Sequence, residues 1–148
     1  MSNQEEKKQS LKLFITLSRA YKVVNEKANE YIYDTGLHPT EFGVLELLYH
    51  KGPQPLQKIG GKILLASGSI TYVVDKLEKK GLLKRTACPT DRRVTHAEIT
   101  EKGREFIEEV FPRHEENIHQ LLSSLSAEEK ETAIELLKKL GLSIRDLS

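Results

Sequence analysis

The chain has 148 residues, 38% hydrophobic and 30% charged, with 9 Gly, 5 Pro and a net charge of +1, which excludes a disordered or collagen-like chain and fits one soluble globular unit with a sizeable core. Its single cysteine, Cys88, excludes an internal disulfide and a cysteine-built zinc site. Residues 1–10 are too polar for a signal peptide and no apolar run reaches the roughly 18 residues of a membrane span, so a cytoplasmic location is expected.

From Ser10 to about Asp34, the residues Leu11, Phe14, Leu17, Tyr21, Val24, Ala28 and Tyr31 recur at steps of three and four, predicting a helix that Gly36 ends. His38-Pro39 opens a second, marked by Phe42, Leu45, Leu48 and Tyr49 and stopped near Lys51-Gly52-Pro53. Pro55 opens a short third helix with Leu56, Ile59 and Ile63 inward, and the chain turns through Leu64-Leu65-Ala66. Ser67 is the expected N-cap of a fourth, whose stripe Ile70, Val73, Val74 and Leu77 has the i, i+3, i+4, i+7 spacing of a buried face and which Gly81 closes.

The period then changes to two. Leu83-Lys84-Arg85-Thr86-Ala87 and Thr95-His96-Ala97-Glu98-Ile99 read as strands around the turn Pro89-Thr90-Asp91-Arg92-Arg93, a hairpin with a basic tip. Thr100 caps a long fifth helix with Ile107, Val110, His114, Ile118, Leu121 and Leu125 on one face, and Pro112 inside it predicts a kink. The capping box Ser126-Ala127-Glu128-Glu129 opens a sixth, with Ala133, Leu136, Leu137 and Leu140 as its stripe and Gly141 as its expected stop.

Two short helices joined by a tight turn and followed at once by a basic hairpin are the layout of a winged helix-turn-helix. Charge agrees with that placement: residues 58–104 hold eleven Lys and Arg against five Asp and Glu, while residues 105–148 hold five against ten. The middle third is therefore the expected contact for double-stranded DNA, whose phosphates release counterions when Lys and Arg neutralise them. With its apolar stripe committed inward, the fourth helix turns Ser67, Ser69, Thr71, Tyr72, Asp75, Lys76 and Lys79 outward. Small residues at its start allow close approach to base edges, Thr71 and Tyr72 offer hydroxyls and apolar surface, and Lys76 and Lys79 suit backbone charge. In the hairpin, Arg92 and Arg93 suit the negative potential of a narrow minor groove, and Asp91 is expected to orient an arginine through a bidentate pair.

The first, fifth and sixth helices carry apolar stripes outside this reading head, and an amphipathic helix needs a packing partner. A second copy of the chain supplies one, and a two-fold dimer would read an inverted repeat. The expected fold is mainly α (α+β): one domain over residues 1–148, with the winged helix-turn-helix at about 38–103 and dimerisation helices at about 10–35 and 104–141.

Leu77-Glu78-Lys79-Lys80-Gly81-Leu82-Leu83-Lys84-Arg85, then Asp91-Arg92-Arg93, then Ile99-Thr100-Glu101-Lys102-Gly103 closely resemble the MarR family of bacterial regulators, and Leu37-His38-Pro39-Thr40-Glu41-Phe42 resembles the family's second-helix entry. The stretch from Tyr49 to Thr95 resembles the family's hydroquinone-responsive branch. The resemblance implies a triangular homodimer paired through its terminal helices, a recognition helix in the major groove and a wing in the minor groove. It places the family's wing aspartate and arginine on Asp91 and Arg93. Many members carry arginine where Tyr72 stands, which leaves base preference there specific to this chain. Together with the residues, it also implies a small aromatic effector, phenolic or quinone, in an apolar pocket expected from Phe14, Leu17, Tyr21, His38, Phe42 and Tyr49.

An enzyme is not expected. The five histidines lack H-E-x-x-H spacing, and neither a nucleophile motif nor a phosphate-binding glycine loop is present, so no metal and no cofactor is expected. A helical protein-interaction module would account for the outer helices and leave the basic hairpin unexplained. A thiol-based redox sensor at Cys88 is a further alternative, its thiolate favoured by Lys84, Arg85, Arg92 and Arg93, although no second cysteine is there to resolve an oxidised one; a small, half-buried strand-end residue is the plainer reading.

Overall fold

Apolar spacing and local capping account for most of the architecture. The computed structural model describes residues 1–62 and 69–147. Within them the order is α1 (Asn3–Tyr33), α2 (Pro39–Lys51), β1 (Gln54–Pro55), α3 (Leu56–Lys62), α4 (Ser69–Lys79), β2 (Leu83–Ala87), β3 (Thr95–Ile99), α5 (Glu101–Leu121) and α6 (Ala127–Leu147). The expected turn at Leu64-Leu65-Ala66, the inward Ile63 and the Ser67 cap lie outside the described residues.

α1 begins seven residues before Ser10, because the Ser2 hydroxyl accepts the Glu5 N–H at 3.2 Å and the Glu, Lys and Gln that follow are good helix formers with no apolar stripe to reveal them. α2 is capped by His38, whose Nδ1 accepts the Thr40 N–H at 3.1 Å while Glu41 Oε1 accepts the His38 N–H at 2.9 Å. The sheet is antiparallel in the order β1-β3-β2, pairing Leu83 with Ile99 through to Ala87 with Thr95, as the hairpin pattern requires, and adding Gln54 against Ala97 and Pro55 against His96. Pro55 thus ends an edge strand before α3 starts, where a helix start alone was expected; a two-residue strand has no alternation to read.

The core lies where α2, α3, α4, the sheet and the start of α5 meet. Phe42, Leu45, Leu48, Ile59, Leu77, Leu83 and Ile107 are its largest fully buried side chains. All four residues of the α4 stripe are buried. Thr100 does two jobs at the sheet edge: its hydroxyl accepts the Gly103 N–H at 3.1 Å and donates to the Gly81 carbonyl at 2.6 Å, which ties the start of α5 to the end of the α4 turn.

Two expectations are corrected in the C-terminal third. Leu125 is not on α5 but in the turn after it, where its N–H bonds the Leu122 carbonyl at 3.2 Å. α5 is continuous through Pro112. Gly141 does not stop α6, which runs on to Leu147; a glycine inside a helix costs only about 1 kcal/mol against alanine, and neither a left-handed residue nor a proline follows to enforce an end. The Ser126 capping box is formed at both of its bonds, 2.9 and 3.1 Å. Among the described residues no helix is long and apolar enough to cross a membrane.

Candidate nucleic-acid interface

α4 turns Thr71, Tyr72, Lys76 and Lys79 to solvent opposite its buried stripe. The side chain of Ser69, at the first position of α4, lies with Ser67 outside the described residues. Lys76 places its ammonium 4.9 Å from the centre of the Tyr72 ring, one helical turn away. The Tyr72 side chain beside it holds the Lys76 ammonium above its ordinary value.

The wing closes by two backbone bonds, Cys88 N–H to the Val94 carbonyl and Val94 N–H to the Asp91 carbonyl, both 3.0 Å. Inside that turn Asp91 Oδ1 accepts the Arg93 backbone N–H at 3.0 Å and its Nε at 3.1 Å, while Oδ2 accepts from Nη2 at 3.3 Å. The side-chain bonds from Arg93, then its backbone N–H, hold the Asp91 carboxyl below the ordinary carboxylate range. Arg93 is nevertheless 90% exposed, so its guanidinium is oriented and available at once. Arg92 is exposed beside it. Thr71 from the first turn of α4 and Arg93 from the wing line one groove of about 630 Å³, together with Pro55, Leu56, Gln57 and Val94, so helix and wing share a single concave surface.

Two contacts anchor α4, and neither was legible from periodicity. Arg85 Nη1 donates to Glu78 Oε1 at 2.6 Å and Nη2 donates to Asp75 Oδ1. At the far end, Lys80 Nζ lies 2.9 Å from Oε2 of Glu41, a carboxylate only 3% exposed. Burial pushes the Glu41 carboxyl up, but the His38 N–H and the Lys80 ammonium together outweigh it and hold the group below its ordinary value. An acid at the third position of α2 and a lysine directly after α4 are the sequence signal of that pair.

The structure does not gather the six expected effector residues. Phe14 and Tyr21 are 66% and 67% exposed, and Leu17 is exposed beside them; at 1.5 Å per residue Tyr21 lies about 15 Å along α1 from Tyr31. His38 caps α2 and meets Tyr33 edge-on at 5.6 Å. Tyr49 packs against His50 and bonds Glu108 through its hydroxyl at 3.5 Å. Phe42 lines a cavity of about 440 Å³ between α1, α2 and α5, with Ile32, Thr35, Val110, Arg113, His114 and Asn117 around it. The Cys88 thiol is held below its ordinary value by the Thr90 hydroxyl 3.3 Å away, then by the backbone N–H groups of Thr90 and Asp91. Of the expected cationic neighbours, Arg85 is bound to Asp75 and Glu78, and Arg93 to Asp91.

A helix-turn-helix whose second helix shares a groove with an arginine-tipped hairpin defines a winged-helix DNA-binding protein. The MarR family model matches residues 37–95. The chain is 62% identical to the HTH-type transcriptional regulator MhqR of Bacillus subtilis over 136 residues, 92% of this chain and 94% of that protein. Among solved structures it is similar to BpsR of Bordetella bronchiseptica, whose DNA binding is regulated by 6-hydroxynicotinic acid (26% identity, 85% of this chain and 90% of that one, TM-score 0.76). It is also similar to reduced AbfR bound to DNA (25% identity, 97% and 99%, TM-score 0.74). The chain belongs to the MarR family: it is a DNA-binding transcriptional regulator, not an enzyme, and acts as a homodimer.

Proposed function

We propose that the homodimer represses transcription from an inverted-repeat operator and is released by a small aromatic effector. Each subunit sets α4 in the major groove through Thr71, Tyr72, Lys76 and Lys79, with Ser67 and Ser69 at the helix start, and lays Arg92 and Arg93 along the minor groove. The groove shared by Thr71 and Arg93 carries this reading, because it makes helix and wing one surface. Asp91 holds Arg93 in register and limits its rotamers before DNA arrives. The winged helix-turn-helix occupies about residues 38–103, between α1 on one side and α5 and α6 on the other, and the regulator works in the cytoplasm, where DNA is accessible. In fluorescence anisotropy at fixed salt, Arg93→Ala is expected to weaken operator binding by roughly 1–3 kcal/mol. Thr71→Ala and Tyr72→Ala are expected to change base preference as well as affinity, Tyr72→Ala more so because it also frees Lys76. Unchanged affinity in all three variants would move the reading head elsewhere.

The effector is a phenol or quinone held against Phe42. The cavity has an apolar side from Ile32, Phe42 and Val110 and polar tips from Thr35, Arg113 and Asn117, which suits a flat ring bearing oxygen substituents. BpsR, whose regulator is a hydroxylated aromatic ring, supports this choice. The cavity lies where α1 and α5 meet α2, so a ligand there favours one angle between the dimer frame and the reading head. A tenfold loss of operator affinity needs only about 1.4 kcal/mol of difference between the two geometries. Titrating phenols and quinones into operator complexes of the native protein and of Cys88→Ser is expected to release both. Release of the native protein alone would assign the response to thiol chemistry.

A further inference from the structure

The proposed recognition helix carries two acids, Asp75 and Glu78, among its solvent-accessible residues. Asp75 lies one helical turn from both Thr71 and Lys79, in the middle of the outward arc of α4, and Glu78 is beside it at i+3. Carboxylates there repel phosphates and offset the lysines of the same face. Asp75 and Glu78 are 49% and 42% exposed, so burial does not remove them.

One guanidinium meets both. Arg85 lies on β2 two residues from the fully buried Leu83, so the two share the sheet face that packs on the core, and its register partner across β3 is the buried Ala97. From there Nη1 reaches Glu78 Oε1 at 2.6 Å, Nη2 reaches Asp75 Oδ1, and the Arg85 backbone N–H points at Glu78 Oε2 at 3.4 Å. A planar fork of donors can bridge two carboxylates a helical turn apart in a way a lysine ammonium cannot.

We propose that Arg85 is a positioning residue for DNA recognition, which acts through Asp75 and Glu78 by drawing both carboxylates aside and screening their charge so that α4 meets the phosphates with Lys76 and Lys79. This rests on α4 being the recognition helix. The trio Asp75, Glu78 and Arg85 carries a formal charge of −1; replacing the acids by amides makes it +1, replacing Arg85 by Gln makes it −2, and replacing all three makes it 0. A role confined to holding the fold makes every variant weaker than the native protein, whereas charge screening sets a different order.

The test is anisotropy with a labelled duplex of mixed sequence over a range of salt, each variant first checked by thermal melting. Asp75→Asn/Glu78→Gln is expected to bind about threefold more tightly than the native protein at low salt, Arg85→Gln about tenfold more weakly, and the triple variant at least as tightly as the native protein, with the differences shrinking as salt rises. The double variant keeps Arg85 and carries the test even where Arg85→Gln does not fold. Tighter binding by the double variant supports the proposal, and weaker binding by both the double and the triple variant overturns it. A native protein that binds no duplex DNA would sink the reading of α4 itself, which is a separate outcome.

Discussion

Gly103→Ala is expected to lower the melting temperature of the protein by roughly 6 °C or more. Helix propensity alone predicts the opposite sign, since alanine inside a helix is favoured over glycine by about 1 kcal/mol. Space decides against it. A Cβ at Gly103 would stand 2.0 Å from the Leu82 carbonyl oxygen and 2.8 Å from Ile99 Cγ1, and the first of these is backbone, which cannot swing aside. That carbonyl already accepts the Thr100 N–H at 3.1 Å, and the Thr100 hydroxyl accepts the Gly103 N–H, so moving one element strains the whole junction of α4, β3 and α5. Overpacking of this kind costs about 3 kcal/mol or more, and each kcal/mol is worth about 2–4 °C in a chain of this size. Gly141→Ala is the contrast: nothing of the same subunit lies within 4 Å of the added methyl in α6, so no clash within the chain opposes helix propensity and no loss of this size is expected. Differential scanning calorimetry at one protein concentration checks both, and a Gly103→Ala variant as stable as the native protein would show that the junction relaxes.

The same junction shows how far the sequence was legible. Thr100 and Gly81 follow from local rules as cap and stop, and the α4 stripe and both wing strands fall where periods of 3.6 and 2 put them, because each pattern repeats over enough residues to be read. α1 and α6 were mistaken only at ends where composition stays helical and no apolar residue marks the boundary. At the interface, the Asp91–Arg93 bond was anticipated because it closes within one turn, two residues apart. Arg85 was assigned to Cys88 instead of to Asp75 and Glu78, since the contact crosses from helix to strand and its partners lie ten and seven positions away. The expected effector residues came from α1 and α2 alone; the cavity takes half its wall from α5, and no pattern within α5 announces which neighbours it will face.

Deleting residues 127–148 is expected to convert the dimer into a monomer while leaving the reading head folded. α6 exposes Leu136 and Ile144 to about 60% and Leu137, Leu140 and Leu142 to lesser degrees, and α1 exposes Leu11, Leu13, Phe14, Leu17 and Tyr21. A soluble monomer rarely shows water two such helical faces. No residue of α6 belongs to the buried core of the described chain, which is built from α1, α2, α3, α4, the sheet and α5, so the packing that holds Thr71, Tyr72 and Arg93 in place does not depend on it. Each large apolar side chain buried against a second copy contributes about 1.5–3 kcal/mol, and several on each subunit are required before they exceed the roughly 4–15 kcal/mol that association costs in lost motion and ordering. Removing the α6 set takes away half of the side chains named here on each subunit, and with them the larger part of the surplus over that cost. Light scattering at micromolar concentration is expected to give twice the 16.8 kDa chain mass for the native protein and a single chain for the truncated one. The truncated chain keeps its half-site contacts but loses the second reading head, so its operator affinity falls toward that for duplex of mixed sequence. A truncated chain that still scatters as a dimer would place the interface on α1 and leave the apolar face of α6 without a partner in this assembly.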